Sequence, residues 1–273
     1  MSAISLYAKP SATFAHKLEA SKALLLNAAA QYAATALAEG SVSSLTQASS
    51  LGAEDMVVTH LIAETGVASS IFVLDTGMLH DETLALIGTL EARYHVKVNV
   101  YQPDSVVAEQ FIATHGKDAM YQSIELRKAC CNFRKMVPLE RALAGKKAWV
   151  TGLRREQSNA RAEVHAIEHS DGSATSRAKI NPLADWTNGD VWHFIATHNI
   201  PYNPLHDQFF PSIGCAPCTR AVTLGEDFRS GRWWWENADG ASAKECGLHV
   251  AQPTHDVPAF ESLSKIKITE VPA

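Results

Sequence analysis

Five cysteines, at positions 130, 131, 215, 218 and 246, are the residues whose spacing most directly suggests chemistry. Cys215 and Cys218 are separated by two residues, and a turn of that spacing can direct two sulfur atoms at one metal ion. Cys130 and Cys131 are adjacent, an arrangement that zinc knuckles seldom use and that would strain a disulfide. A four-thiolate site on the two pairs is therefore the economical interpretation.

The metal of such a site stays open at this point. An iron-sulfur cluster is favoured narrowly over structural zinc, and inert buried thiols rank third. A redox dithiol is disfavoured, because Cys215 and Cys218 lie in a proline-rich stretch rather than where a strand passes into a helix.

Cys246 is left outside that set and is the candidate nucleophile. Most lone cysteines are small buried residues, but Gly247 beside it and His249 three positions on favour an exposed, activated thiolate. The tryptophans at 233–235 precede it, and we interpret them as core residues or as a docking surface for the tail rather than as a platform for stacked bases.

Two further segments suit an anionic ligand. The loop Ser49–Asp55 offers hydroxyls, Gly52 and backbone N–H groups at a helix start, although an N-cap turn with Ser50 and Glu54 as capping residues explains it equally well. The other segment follows a short strand and supplies guanidinium groups, which can bridge two phosphate or sulfate oxygens. Its arginines are Arg154, Arg155 and Arg161, and surface salt bridges with Glu156 and Glu163 are the competing explanation.

Composition narrows the class of protein. A chain of 273 residues with 46% hydrophobic residues can bury a large core, and the net charge of −5 argues against a nucleic-acid partner. We expect neither a secretion signal nor a membrane span, because no basic stretch leads into a long apolar run and residues 23–38 are interrupted by polar side chains. A cytoplasmic location and reduced thiols follow as expectations, and a homo-oligomer is left open.

Alternating strands and helices must position these groups, and they predict a doubly wound, mostly parallel α/β sheet. The predicted strands are 43–50, 71–74, 95–101, 147–150 and 164–168, and the predicted helices are 12–38, 54–63, 81–93, 104–114 and 187–198. We divide the chain into an N-terminal helical segment (1–40), an α/β nucleotide-binding and cluster domain (41–236) and a mobile C-terminal tail with the catalytic cysteine (237–273). The run Ile71–Leu74 is followed by Asp75, Thr76 and Gly77, where the end of a parallel strand would carry function.

Taken together, the motifs resemble the assimilatory adenylyl-sulfate reductases, within the wider phosphoadenylyl-sulfate reductase family. The resemblance lies in segments that occur together in this order, spanning most of residues 47–249. They are Ser50–Asp55, Leu74–Gly77, Cys130-Cys131, Gly152–Ser158, Gly214–Arg220 and Glu245–His249.

The resemblance implies a fold like that of the adenine-nucleotide α-hydrolases and a [4Fe-4S] cluster on the two cysteine pairs. It also implies that Lys135 lies near cluster and substrate, that Arg229 and Arg232 hold the phosphosulfate, and that His249 assists the nucleophile. The remaining substrate-binding residues are expected to be Ser50, Gly52, Asp75, Gly77, Arg154, Arg155 and Arg161.

The implied reaction is attack of the Cys246 thiolate on the sulfonate of adenosine 5'-phosphosulfate, departure of AMP, and release of sulfite by reduced thioredoxin or glutaredoxin. A phosphoadenylyl-sulfate reductase is the first alternative, although such enzymes usually lack the cluster cysteines. A tRNA-thiolating ATP pyrophosphatase is the second, but Leu51 and Glu54-Asp55 depart from the Ser-Gly-Gly-x-Asp-Ser loop of ATP-cleaving relatives. A non-enzymatic, zinc-stabilised binding module is the third.

Overall fold

The structure is a computed structural model that describes residues 2–33, 43–170, 173, 176–223 and 225–236. Its strands are β1 (Leu45–Ser49), β2 (Ser70–Leu74), β3 (Val98–Tyr101), β4 (Ala148–Val150), β5 (Ile167–His169) and β6 (Ala178–Ile180). Its α-helices are α1 (Ala3–Tyr7), α2 (Phe14–Ala28), α3 (Ala53–Thr65), α4 (Asp81–Tyr94), α5 (Ser105–His115), α6 (Ile124–Cys131), α7 (Val137–Leu143) and α8 (Asn188–His198). Among these described elements, no helix is both long enough and apolar enough to cross a lipid bilayer.

The described strands form one sheet in the order β3-β2-β1-β4-β6-β5. Every neighbouring pair is parallel except β5 and β6, so the predicted mostly parallel, doubly wound sheet is confirmed. The chain runs outward from β1 to β3 and then crosses to β4 on the other side of β1. The switch of direction therefore falls between β1 and β4, where open α/β sheets bind ligands beyond the strand ends.

Strand β1 is polar yet buried, and its polar side chains are satisfied by α3. Gln47, fully buried, donates from Nε2 to the carbonyl oxygen of Asp55 at 2.8 Å and accepts from Thr59 Oγ1 at 3.0 Å. Because a buried amide without partners would be destabilising, this pairing holds the first turn of α3 at a defined position relative to the sheet.

The N-terminal helices belong to the main core. Ala3 and Leu25 are fully buried in the same apolar cluster as the sheet residues Leu45 and Val150. The single helix predicted over 12–38 is corrected to α2 followed by a π-helical turn, Ala29–Ala33, and residues 34–38 lie outside the described part.

The helical run from α6 to α7 was not predicted, yet it carries one cysteine pair and Lys135. Ser123 caps its start by accepting a hydrogen bond from Leu126 N at 3.1 Å, and a π-helical turn, Asn132–Met136, joins the two helices. Pro138 follows this turn within the first turn of α7 and has no backbone N–H to donate. The charged stretch between the cysteines and Pro138 obscured the helical periodicity of the sequence.

Candidate functional site

A cleft opens at the carboxyl ends of β1, β2 and β4, at the predicted edge of the sheet. Its empty volume, including the solvent at its mouth, is about 1300 Å³. Ser50 and Gly52 after β1, Leu74 at the end of β2, and Gly152 after β4 all line it. The switch point of the sheet and the predicted anion loop therefore coincide.

The loop after β1 is held by Asp55 rather than by a Ser50 cap. The Oδ2 atom of Asp55 accepts from Ser50 N at 2.7 Å and from Ser50 Oγ at 2.6 Å, while Oδ1 accepts from Gly152 N at 2.9 Å. The helix cap is Gly52, which has no side chain to offer, and Leu51 adopts a left-handed φ of 61°. The capping alternative is therefore wrong, and the first N–H groups of α3 have no side-chain cap at the cleft.

Burial sets the charge of the two carboxyl groups in this loop in opposite directions. It raises the pKa of Asp55 despite the hydrogen bonds from Ser50. It would also raise the pKa of Glu54, but the Arg154 charge and hydrogen bonds from Gln157 and Arg154 outweigh it and lower that pKa. Glu54 is thus the carboxylate that the surrounding groups keep ionised.

Arg154 and Arg155 do not line the cleft, which corrects the expectation that they meet the substrate. Arg154 is buried, and its Nη2 lies 2.8 Å from Glu54 Oε1 while its Nη1 lies 3.1 Å from Glu156 Oε2. Arg155 donates to the Val164 carbonyl oxygen at 2.7 Å and forms an ion pair with Asp185. The competing salt-bridge explanation therefore describes both residues, because carboxylates of neighbouring loops take up their guanidinium groups.

Asp75 and Gly77 lie in the turn after β2 and also do not line the cleft. Asp75 Oδ1 accepts from Gly77 N at 2.9 Å, and its Oδ2 accepts from Gln102 Nε2 at 2.7 Å. Gly77 has a φ of 69°, which favours glycine over residues with a side chain. Between them, Thr76 Oγ1 lies 3.3 Å from Cys215 Sγ, so this turn supports the cysteine loop.

Within the described part of the chain, the cationic side chains that line the cleft are Lys135, Arg161, Arg229 and Arg232. Arg161 Nη1 donates to Gln157 Oε1 at 2.6 Å. The Arg232 guanidinium is centred 4.6 Å from the ring of the buried Trp233. These residues come from four separate segments, and together they make the cleft suited to a polyanion.

The cysteine pairs lie beside the cleft, with Cys130, Cys215 and Cys218 buried and Cys131 partly exposed. Burial, and then the charges of Cys215 and Cys130, raise the pKa of Cys218 to about 12, which shows that these three thiols share one neighbourhood. Cys131 lies near Arg127, the buried arginine of the same helix. The fold therefore brings the two pairs together across 84 residues of sequence, between Cys131 and Cys215.

The chemistry of these donors fits an iron-sulfur cluster, although their spacing does not form a complete metal set. Among the described residues, no three His, Cys, Asp or Glu side chains are grouped as metal ligands. The buried Nε of Arg134 nevertheless has no hydrogen-bond partner in the described structure, and the Arg134 charge lies close enough to lower the pKa of Cys130 against the effect of burial. An N–H donor facing thiolates is a feature that cluster sulfurs would satisfy.

Three residues of the site were missed as functional by sequence reasoning. Asp55 and Gln157 belong to recognised motifs, and the signal was their position immediately beyond β1 and β4, whose ends meet. His206 also lines the cleft, and burial lowers its pKa while Nδ1 lies 2.9 Å from the Phe210 carbonyl oxygen. Nothing in the proline-rich stretch around His206 indicated this position. The predicted nucleophile Cys246 and its helper His249 lie outside the described residues.

A doubly wound sheet with an uncapped helix start and a cationic cleft at its switch point defines an α/β domain suited to an anionic nucleotide. Residues 44–221 match the phosphoadenosine phosphosulfate reductase domain, and the chain belongs to that family.

Relatives support this assignment. The adenosine 5'-phosphosulfate reductase of Burkholderia cepacia is 52% identical over 207 residues, which cover 76% of this chain and 81% of the relative. The protein of the same name from Allochromatium vinosum is 53% identical over 206 residues, covering 76% of this chain and 78% of the relative.

Solved structures agree on the fold. The phosphoadenylyl-sulfate reductase of Candida auris, in its phosphate complex, aligns with a TM-score of 0.59 and 24% identity over 78% of this chain and 98% of its own. The FMN adenylyltransferase of Candida glabrata with FAD and pyrophosphate aligns with a TM-score of 0.53 and 15% identity, covering 93% and 82% of the two chains. The predicted α-hydrolase-like fold class is thereby confirmed.

Proposed function

We propose that this chain reduces adenosine 5'-phosphosulfate to sulfite and AMP. The observation that carries the proposal is the convergence of Lys135, Arg161, Arg229 and Arg232 on one nucleotide-sized cleft beside the cysteine pairs. A thiolate approaching a phosphosulfate is repelled by its charge, so cations must neutralise the substrate and the departing phosphate. This explains a basic cleft in a protein whose net charge is −5.

The reaction begins with attack of the Cys246 thiolate on the sulfonate sulfur. An S–S bond forms, the S–O bond to the phosphate breaks, and AMP leaves with the electron pair of that bond. A thiolate of reduced thioredoxin or glutaredoxin then attacks Cys246 Sγ, and sulfite departs with the electrons of the S–S bond. A second thiol of the reductant closes its own disulfide, returns the Cys246 thiolate and so supplies two electrons.

The residues of the described cleft would bind and orient the nucleotide. The loop Ser50–Gly52 and the uncapped start of α3 suit a phosphate, as do Arg161 and Lys135 on its flank. Arg229 and Arg232 would hold the phosphosulfate at the side facing the cysteine loop. His249 would assist Cys246.

Cys130, Cys131, Cys215 and Cys218 would hold a [4Fe-4S] cluster. When bound, the cluster would supply a fixed charge centre that tunes the field around Lys135. Replacing any one of the four cysteines with serine should deplete iron and lower activity, because a hydroxyl is a poor ligand for such iron. Full iron content in all four variants would contradict this assignment, and a colourless protein containing zinc would favour the alternative of structural zinc.

Substrate choice is tested by kinetics with two nucleotides. The kcat/KM for adenosine 5'-phosphosulfate should exceed that for its 3'-phosphorylated form, in keeping with the names of the most similar relatives described above. A clear preference for the 3'-phosphorylated nucleotide would make the phosphoadenylyl-sulfate reductase alternative correct. A cytoplasmic location and a homo-oligomeric state stay predictions.

The covalent step is tested by intact-protein mass spectrometry without reductant. Adding substrate should increase the mass of the chain by about 80 Da, the SO₃ group of a covalent S-sulfonate. Adding AMP instead is the matched control and should leave the mass unchanged. Cys246→Ser should show neither adduct nor sulfite release, because serine lacks a thiolate nucleophile. An adduct that maps to Cys130 or Cys218 would refute this mechanism even if the fold and cluster are correct.

A further inference from the structure

The side-chain amide of Gln157 contacts both loops that flank the cleft. Its Nε2 donates to Glu54 Oε1 at 3.0 Å and to the Gly152 carbonyl oxygen at 3.4 Å. Its Oε1 accepts from Arg161 Nη1 at 2.6 Å and from Arg154 N at 3.1 Å. The amide therefore joins an acidic residue after β1 to a basic residue after β4.

The orientation of this amide is determined by its partners. Rotated by half a turn, it would place its oxygen against the Glu54 carboxylate and its NH₂ group against the Arg161 guanidinium. Glu54 is further held by Arg154 Nη2 at 2.8 Å, and Arg154 is buried. The chain of contacts from Arg154 through Glu54 and Gln157 to Arg161 is thus polarised in one direction.

We propose that Gln157 is a positioning residue that holds the Arg161 guanidinium in the cleft and couples it to the loop after β1 without adding a charge. This inference rests on the proposed function for the identity of the anion that Arg161 meets. The chemical reason lies in the neutrality of the amide. It accepts from a guanidinium and donates to a carboxylate at the same time, whereas a carboxylate could only accept and an apolar side chain could do neither.

Substitutions at this position have distinguishable effects. In Gln157→Glu, the introduced carboxylate would repel Glu54 and form an ion pair with Arg161, so the positive charge offered to a phosphosulfate would fall. In Gln157→Met, both hydrogen bonds would be lost at similar side-chain length. Either change should raise the KM for adenosine 5'-phosphosulfate about ten- to hundredfold with a smaller effect on kcat, as expected when binding to a charged group is weakened.

The exchange variant Glu54→Gln/Gln157→Glu separates positioning from stability. It restores a hydrogen bond between the two side chains with reversed polarity, so its unfolding midpoint should lie closer to wild type than that of Gln157→Glu. Its KM should stay raised, because the introduced carboxylate still pairs with Arg161. Recovery of both stability and KM in the exchange variant would show a purely structural role and overturn the inference.

Gln122→Met is the matched control, since this amide donates at the surface to the His115 carbonyl oxygen at 3.3 Å. It should leave KM unchanged. An unchanged KM in Gln157→Met would also overturn the inference. Calorimetric titration with AMP distinguishes the two levels of the argument. If wild type does not turn over the sulfonucleotide, the proposed function fails, whereas weakened AMP binding by the Gln157 variants alone would still support Gln157 as a positioning residue.

Discussion

The guanidinium group of Arg232 lies against Gly214, the residue before Cys215. A Cβ added to Gly214 would lie 2.3 Å from Arg232 Nη2 and 2.5 Å from its Cζ, closer than such contacts occur. On its other side, the same guanidinium is centred 4.6 Å from the Trp233 ring. The cysteine loop and a cationic residue of the cleft are therefore packed together with no space for a methyl group between them.

Gly214→Ala should displace Arg232 from the cleft. We expect kcat/KM for adenosine 5'-phosphosulfate to fall at least about tenfold, because removing a charged contact weakens substrate binding. The matched control is Gly88→Ala, which meets nothing within 4 Å and lies inside α4. Steady-state kinetics of both variants provide the measurement, and equal activity of the two would show that Arg232 has room to move without loss.

Arg154 and Arg155 are neighbours in sequence but should differ in their contribution to stability. Arg154→Met removes one partner of a buried ion pair and leaves Glu54 uncompensated, which should lower the free energy of unfolding by about 3–5 kcal/mol. Arg155→Met removes an exposed pair and should lower it by less than about 1 kcal/mol. Anaerobic urea unfolding measures both, and similar losses in the two variants would contradict the buried pairing of Arg154.

Glu236 anchors the end of the described chain to α6 through a buried ion pair. Its Oε1 lies 2.7 Å from Arg127 Nε and its Oε2 lies 3.0 Å from Arg127 Nη2. Glu236→Ala should lower the free energy of unfolding by about 3–5 kcal/mol because it leaves the Arg127 charge buried and unpaired. Glu236→Gln should lower it less, since an amide keeps one acceptor. The exposed pair of Arg220 with Glu226 is the control, and Glu226→Ala should change stability little.

Asp190 makes the stability of the fold depend on acid pH. It is fully buried and binds Lys17 Nζ at 2.9 Å and Ser11 N at 2.7 Å. Burial would raise the pKa of Asp190, but the hydrogen bonds from Lys17, and then from Thr187 and Ser11, outweigh it and lower the pKa from 3.8 to about 2. A folded-state pKa below the unfolded value stabilises the protein above that unfolded value and loses its effect as the carboxylate is protonated.

The difference in unfolding free energy between wild type and Asp190→Asn should therefore depend on pH. It should be about 2 kcal/mol at neutral pH and shrink as the pH falls from about 4 to about 2. Urea unfolding at a series of pH values measures it. A difference that stays constant over this range would show that the ionised form of Asp190 is not what stabilises the contact.

Much of the scaffold was predictable because local patterns and burial agreed. The apolar run Ile71–Leu74 appears as β2, Ser70–Leu74, and the predicted helix 81–93 appears as α4, Asp81–Tyr94. Even the polar segment 43–50 contains β1, since Gln47 is satisfied by α3. By contrast, β6 spans only three residues, Ala178–Ile180, too few for a periodic signal. It forms through pairing with β4 and β5.

What the sequence by itself determined is the set of chemical groups: thiols in two pairs, arginines after a strand, and a glycine-bearing loop before a helix. Only the tertiary structure decided which of those groups face the cleft. Arg154 and Arg161 follow the same strand, yet Arg154 is buried against Glu54 and Arg161 lines the cleft. The reason is that Glu54 comes from a loop 100 residues earlier, and a contact at that separation leaves no trace in local spacing.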